Sequence, residues 1–205
     1  MKLYYVPGTC ALGIHILLEE AAKPYEAQKI SFADKEQYGA AFKAINPKSK
    51  VPTLVRDDGS VLTEFPAIAL WLALTHPEAK LLPEDADGRA RALEMTDYIV
   101  ATVHMQAFSR IFRPERYSPT ASDGAAVMAQ GHEMVEAAFA IINERLGDRP
   151  YLDGAYSIAD AALFYVEYWA VVRVKIALPA NCQRHFQTMK ARPAVRRALA
   201  AEGLE

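Results

Sequence analysis

The sequence predicts an α/β unit built on a four-stranded mixed sheet, followed by an all-helical unit. Two observations carry this. Up to about Leu74 the apolar residues switch repeatedly between strand-like runs and helical spacing, with turn signals between them, whereas past residue 88 the pattern is helical throughout. Between the two lies a stretch rich in proline and acid, HPEAKLLPEDADG, that reads as a linker. The expected division is therefore 1–76, a linker over 77–87, and a helical part over 88–205.

Taken in order, KLYYV (2–6) is β-rich and Pro7-Gly8 ends it. Leu12, Ile14, Leu17, Leu18 and Ala21 then recur at spacings of three and four, which predicts a helix with one apolar face, stopped by Pro24. Tyr25 to Ile30 reads as a second strand and Glu36 to Ala44 as a short second helix. Two turn signals, Asn46-Pro47 and Val51-Pro52, precede the strand TLV (53–55). Asp57-Asp58-Gly59 supplies the positive φ of a hairpin turn into SVLT (60–63). A third helix runs from about Glu64 to Leu74, with Pro66 in the first turn, where its missing N–H has no intrahelical partner anyway. The order β-α-β-α-β-β-α gives a right-handed parallel βαβ crossover and then a hairpin and a helix. Behind it, Ala90–Phe112, Thr120–Leu146, a helix opening at Ser157, and short helices near 181–191 and 193–201 complete the chain. Ser157 with Asp160 three residues on is a capping box, in which each side chain accepts the other residue's backbone N–H.

Composition narrows the function classes. With 52% hydrophobic residues, the 205-residue chain can bury a sizeable core, which excludes disorder. Twenty-three basic against 25 acidic residues leave a net charge of −2, which argues against a nucleic-acid footprint. The opening residues lack the apolar stretch of a signal peptide, and the most apolar window, Ile158–Val172, is broken by Asp160 and Glu167, so neither membrane association nor export is expected. Cys10 and Cys182 form no metal or redox pair, and the five histidines share no ligand spacing, so no metal is expected. A cytoplasmic protein is the expectation.

Three local features can carry chemistry. Cys10 falls where the first strand hands over to the first helix, where unpaired N–H groups and the dipole favour a thiolate; as a small apolar residue it also suits packing. A cis bond at Val51-Pro52 would present the Val51 N–H and C=O like an unpaired strand edge, while a trans bond would simply open the strand. Glu64 and Phe65 open the third helix, where free N–H groups suit a ligand carboxylate and Glu64 suits a ligand ammonium, the head group of an α-amino acid; a first-turn acid also merely complements the dipole. His15 leaves its helix on a different face from Cys10 and is expected at the surface or as a cap. His104, mid-helix among apolar residues, either lines a site or is a satisfied core histidine.

The ordered set KLYYVPGTCAL, NPKSKVPTL and DDGSVLTE..AI, followed by IFRPE, SIADAALF, RPAVRRAL and AEGLE, is similar along the whole chain to the cytosolic-type glutathione S-transferases, and closest to the bacterial beta class. The resemblance implies a thioredoxin-like N-terminal domain holding glutathione as co-substrate, and a helical domain offering a pocket to a small hydrophobic electrophile. It also implies a homodimer with sites near the subunit interface. By position it places Cys10 beside the glutathione sulfur, and Val51, before a cis Pro52, on the cysteinyl unit. Glu64 and the Phe65 N–H take the γ-glutamyl head. Lys35 and His104 meet the glycine carboxylate or line the second pocket, and Asp97 reaches toward the γ-glutamyl group bound by the neighbouring subunit. Three departures stand out: Phe65-Pro66 replaces a small residue, Gln106 lacks the family's basic side chain, and the helix around His104-Met105 carries one extra residue, which a π-bulge absorbs. The implied activity is conjugation, with disulfide or peroxide reduction through Cys10 as a further capacity and a non-catalytic binding or adaptor protein as the rival.

Overall fold

A computed structural model describes residues 1–204. β1 (Lys2–Tyr5) leads into α1 (Ala11–Ala21), and β2 (Glu26–Lys29) returns parallel to β1, with Lys2 opposite Glu26 and Tyr5 opposite Lys29. A parallel return needs a crossover, and α1 is that crossover. After a 3₁₀ turn (Glu36–Tyr38) and α2 (Ala40–Ile45), β3 (Thr53–Val55) pairs antiparallel with β1 and β4 (Val61–Thr63) antiparallel with β3. The sheet order is β2-β1-β3-β4, closed by α3 (Phe65–Thr75) with Pro66 in its first turn. The helix expected over 36–44 is in two pieces because Gly39 is extended, at φ −65° and ψ 151°, between them. Gly59 takes φ 81° in the hairpin turn.

A second 3₁₀ turn, Pro77–Ala79, leads on to α4 (Ala86–Asp97), which Asp85 opens by accepting the Gly88 N–H at 2.8 Å. The stretch is not loose. Leu81 is buried, and its carbonyl accepts the Ile158 N–H at 3.0 Å. α4 continues unbroken through a π-helical run, Tyr98–Phe108, into α5 (Ser109–Phe112). A π-helical turn is wider than an α-helical one and can hold an additional residue, as expected for this segment. α6 (Gly124–Leu146), α7 (Ile158–Tyr168) with a second π-helical run at Trp169–Val174, α8 (Ala180–Ala191) and α9 (Pro193–Glu202) complete the chain.

α7 is the central pillar, with every residue from Ile158 to Tyr168 buried. Its buried N-terminus is satisfied by the expected capping box: the Ser157 hydroxyl accepts the Ala159 N–H at 3.2 Å and Asp160 accepts the Ser157 N–H at 2.8 Å. α1 differs from expectation. It is buried from Ala11 to Leu18 rather than along one face, because α7 and α9 cover the side turned away from the sheet. His15 is accordingly fully buried, not a surface or capping residue, and its Nδ1 lies 2.9 Å from Glu202 of α9. Arg192 reaches Glu20 at 2.7 Å and Arg197 donates to the Glu19 carbonyl at 3.0 Å, so the RPAVRRAL segment fastens α9 onto α1. Among the described residues, no helix is long and apolar enough to cross a membrane.

Candidate active site

The site begins with the loop that delivers Cys10. Gly8 sits at φ 64°, and a Cβ there would come within 2.5 Å of an Arg173 guanidinium nitrogen. Its N–H donates to Glu202 at 2.7 Å and its carbonyl accepts the Trp169 indole N–H at 2.8 Å, while Arg173 donates to the Pro7 carbonyl at 3.1 Å. The helical half of the chain therefore holds the loop from both sides. Cys10 follows as the half-buried N-terminal cap of α1, and its S–H donates to the Val51 carbonyl at 3.5 Å. Here the expected thiolate does not appear. Burial pushes the Cys10 thiol up to about 12, and the N–H groups of Cys10 and Ala11 offset only part of this. At neutral pH the side chain is a hydrogen-bond donor, because desolvation outweighs the helix terminus.

Across from it, the Val51–Pro52 peptide bond is cis. Among the described residues neither the N–H nor the C=O of Val51 has a backbone partner. Glu64 stands at φ 70°, ψ 126° just before α3, and its exposed carboxylate pairs with Lys48 at 2.7 Å. Lys48 also donates to the Thr63 hydroxyl at 2.8 Å. Phe65 turns its ring inward, 5.4 Å from Tyr165 and against Gly13, where a Cβ would lie 2.6 Å from the Phe65 ring. The Phe65 side chain is therefore outside the site and only its N–H remains on offer. Pro66 has none, so the first turn presents the N–H groups of Phe65 and Ala67.

Facing these is a cavity of about 380 Å³ whose lining includes Cys10, Val51, His104, Met105, Phe112 and Trp169. Both π-helical runs contribute to it, the first through His104 and Met105, the second through Trp169 and Arg173. Burial holds His104 down to about 4, with the charges of Lys50 and Arg113 adding to it, so the ring is neutral at neutral pH. The Tyr165 hydroxyl, whose phenol burial raises well above its ordinary value, is hydrogen-bonded to His104 Nδ1 at 3.3 Å. His104 is thus a wall of the site, not a core histidine.

The glutathione S-transferase N-terminal domain model matches residues 8–75, and the C-terminal domain model matches residues 125–201. Glutathione S-transferase GstA of Escherichia coli O157:H7 is 37% identical over 212 residues, covering 100% of both chains. The chain belongs to the glutathione S-transferase family. Two solved structures fit it throughout. A glutathione transferase homolog from Sulfitobacter with bound glutathione has a TM-score of 0.90 at 31% identity, covering 100% of this chain and 98% of that one. A beta-class glutathione S-transferase from Sphingomonas chungbukensis has a TM-score of 0.85 at 31% identity, with 100% of both chains covered.

Within this transferase, the structure brings together Cys10, Val51-Pro52 and His104, with Glu64 beside them through its Lys48 pair. Six expected residues are absent from the cavity lining: Pro52, Glu64 and Phe65, already placed above, and three more. Lys35 is exposed at φ 56° before the 3₁₀ turn, Asp97 is exposed at the end of α4, and Gln106 is exposed with its carbonyl accepting from Arg110 at 2.7 Å. The cations on the cavity are Lys48, Lys50, Arg113, Arg116 and Arg173. The first two flank Ser49 directly ahead of Val51-Pro52, and two more surround the helix break at Pro114, so charge density at turn signals was a usable clue. Arg173 gave none, because the π-helical run that follows α7 brings it here. Among the described residues, no cluster of His, Cys, Asp and Glu is placed to hold a metal.

Proposed function

We propose that glutathione lies along the edge formed by Val51, with its γ-glutamyl head at Glu64 and the start of α3, and that its sulfur meets an electrophile held by the helical part. The observation that supports this most is the meeting on one cavity of the Cys10 S–H and the Val51 backbone it is bonded to, with the Glu64 carboxylate and the free N–H groups of α3 beside them through Lys48. The ligand ammonium replaces Lys48 on Glu64, and its carboxylate meets the N–H groups of Phe65 and Ala67. The Cys10 S–H then turns from the Val51 carbonyl to the glutathione sulfur and stabilises it as the anion. In the reaction a sulfur–carbon bond forms, the bond to the leaving group breaks, and that group departs with the electron pair. The thiol proton goes to water.

Conjugation fits this site better than exchange at Cys10, because a thiol held at about 12 supplies very little nucleophilic thiolate. Neither departure that favoured a purely binding role bears on the cavity, since the Phe65 ring and Gln106 both lie away from it. We assign 1–76 to glutathione and 88–205 to the electrophile, with 77–87 joining them. We take the working form to be a cytoplasmic homodimer in which Asp97 serves the neighbouring ligand. Lys50, which adjoins Val51 on the cavity, rather than Lys35, suits the glycine carboxylate by its position.

One pair of measurements tests the reading. Glutathione is expected to raise the melting temperature of the wild type, and Cys10→Ala, which removes the S–H donor, is expected to lower conjugation of an aromatic halide without abolishing it and to lose whatever glutathione-dependent disulfide reduction the thiol supports. If conjugation collapses with reduction, the thiol serves both reactions. No thermal response to glutathione and no turnover would overturn the assignment.

A further inference from the structure

The chain as a whole carries a net charge of −2, yet five cations and no acidic residue line the cavity. These cations are not equivalent. Lys48 is paired with Glu64 at 2.7 Å, Lys50 adjoins Val51 on the glutathione side, and Arg173 donates to the Pro7 carbonyl at 3.1 Å. Arg113 and Arg116, from the turn that ends α5, have no side-chain hydrogen bond or ion pair among the described residues. Their neighbour Arg110 shows what a structurally engaged arginine looks like here: it donates to Gln106 and Gln130 and lies 4.5 Å over the Tyr117 ring.

Beneath the two free guanidinium groups the floor is apolar and open. Phe112 is 41% exposed and Met105 39%, and the Phe112 ring stands 5.4 Å from Trp169. Large exposed apolar side chains in a concave site mark a binding surface, and planar guanidinium groups at its rim recognise planar oxyanions. We propose that the electrophile taken by this cavity is an anion, an apolar and preferably aromatic body bearing a carboxylate or sulfonate, seated on Phe112 and Trp169 with its charge at Arg113 and Arg116. This rests on the transferase reading and specifies its second substrate. The charge of Arg113 is already felt inside the cavity, where it helps to keep His104 neutral. A neutral His104 adds no charge of its own, so the preference belongs to the arginines.

The probes are 4-chloro-3,5-dinitrobenzoate and its methyl ester. With either, the glutathione sulfur bonds to the ring carbon, the carbon–chlorine bond breaks, and chloride leaves with the pair. The comparison is the ratio of kcat/KM for carboxylate over ester, taken in wild type and in R113Q/R116Q, so that intrinsic reactivity cancels. The ratio is expected to fall about tenfold or more in the double variant. A wild-type control needs no mutation: raising salt from about 0.05 to about 0.5 M should raise KM for the carboxylate and not for the ester. An unchanged ratio, or equal salt response of the two probes, overturns the proposal. Glutathione affinity measured by calorimetry on the same wild-type sample separates the readings. Binding without anion preference refutes only this inference, whereas no binding refutes the transferase reading beneath it.

Discussion

Replacing Phe65 by alanine separates the fold role of this residue from a ligand role. Phe65 is 3% exposed, its ring centroid is 5.4 Å from that of Tyr165, and it fills the space that Gly13 leaves open beside α7. Phe→Ala at such a site typically removes about 3–5 kcal/mol. For a chain of this size each kcal/mol lowers the melting temperature by about 2–4 °C, so Phe65→Ala should melt roughly 6–20 °C below the wild type. Glutathione affinity, measured by calorimetry well below the melt, should change less than about threefold, since the backbone N–H at residue 65 is kept. Loss of affinity greater than about tenfold, with little change in melting, would refute the reasoning by showing the ring against the ligand. The partner experiment is Gly13→Ala, whose Cβ would lie 2.6 Å from the Phe65 ring and 2.8 Å from the Ala161 carbonyl oxygen. Removing the ring should rescue only part of that defect, because the backbone contact persists, and a double-mutant cycle reads the coupling directly.

Three further outcomes are expected. Cys10, held up to about 12, should be alkylated by iodoacetamide far more slowly than free cysteine at neutral pH, with the rate climbing as the pH approaches that value. Fast labelling at neutral pH would restore the thiolate. Glu202→Ala should cost about 2–6 kcal/mol in denaturant unfolding, because it leaves the Gly8 N–H and the His15 ring nitrogen without their buried partner at about 1–3 kcal/mol each, and Glu202→Gln should lose less. Stability should fall as pH rises from about 6.5 to about 10, whereas below 6.5 the gain from His104, held down to about 4 by burial, offsets the loss from Glu167. Burial raises Glu167 from 4.5 to about 7, and Glu167 with Asp160 raises His185 from 6.5 to about 10 against the opposing effect of its burial. In both cases the folded state holds its proton longer than the unfolded one, so the contribution is full below the unfolded value and is lost as pH climbs through the folded value. A melting temperature that rises across that window would contradict this, and His185→Gln should flatten its upper part.

Much of this fold was legible because its signals are local. TLV (53–55), the Gly59 turn, the Ser157–Asp160 capping box and the opening of α3 at a proline are each decided within a few residues, and the structure has them where the sequence put them. What was misread depends on what covers a helix. α1 has a helical apolar pattern, but nothing within it reports that α9 closes the opposite face, so His15 was placed at the surface. The Cys10 thiolate failed for the same reason: the helix terminus is visible in sequence, while the desolvation that opposes it comes from residues distant in the chain. The cationic lining was hidden by a near-neutral total, since Lys48, Lys50, Arg113, Arg116 and Arg173 come from three separate stretches. A π-helical turn was expected near His104, and a π-helical run spans Tyr98–Phe108.

The buried Cys10 also decides which sulfur does the chemistry. Two thiols in one cavity feel the same cations, but not the same hydration. Cys10 is half-buried and its S–H is bonded to the Val51 carbonyl, so ionising it would cost hydration and a hydrogen bond together, and its proton stays. In the proposed pose, a ligand thiol on the cavity side keeps contact with solvent, gains the Cys10 S–H as a donor, and faces Lys50 and Arg113. The same two charges that make a proton on His104 unfavourable make an anion on a neighbouring sulfur favourable, because the sign of the effect follows the charge of the group and not its identity. A protonated cysteine and a neutral histidine, each unsuited to the role its sequence position suggests, are therefore both consistent with one cavity tuned to stabilise negative charge on what it binds.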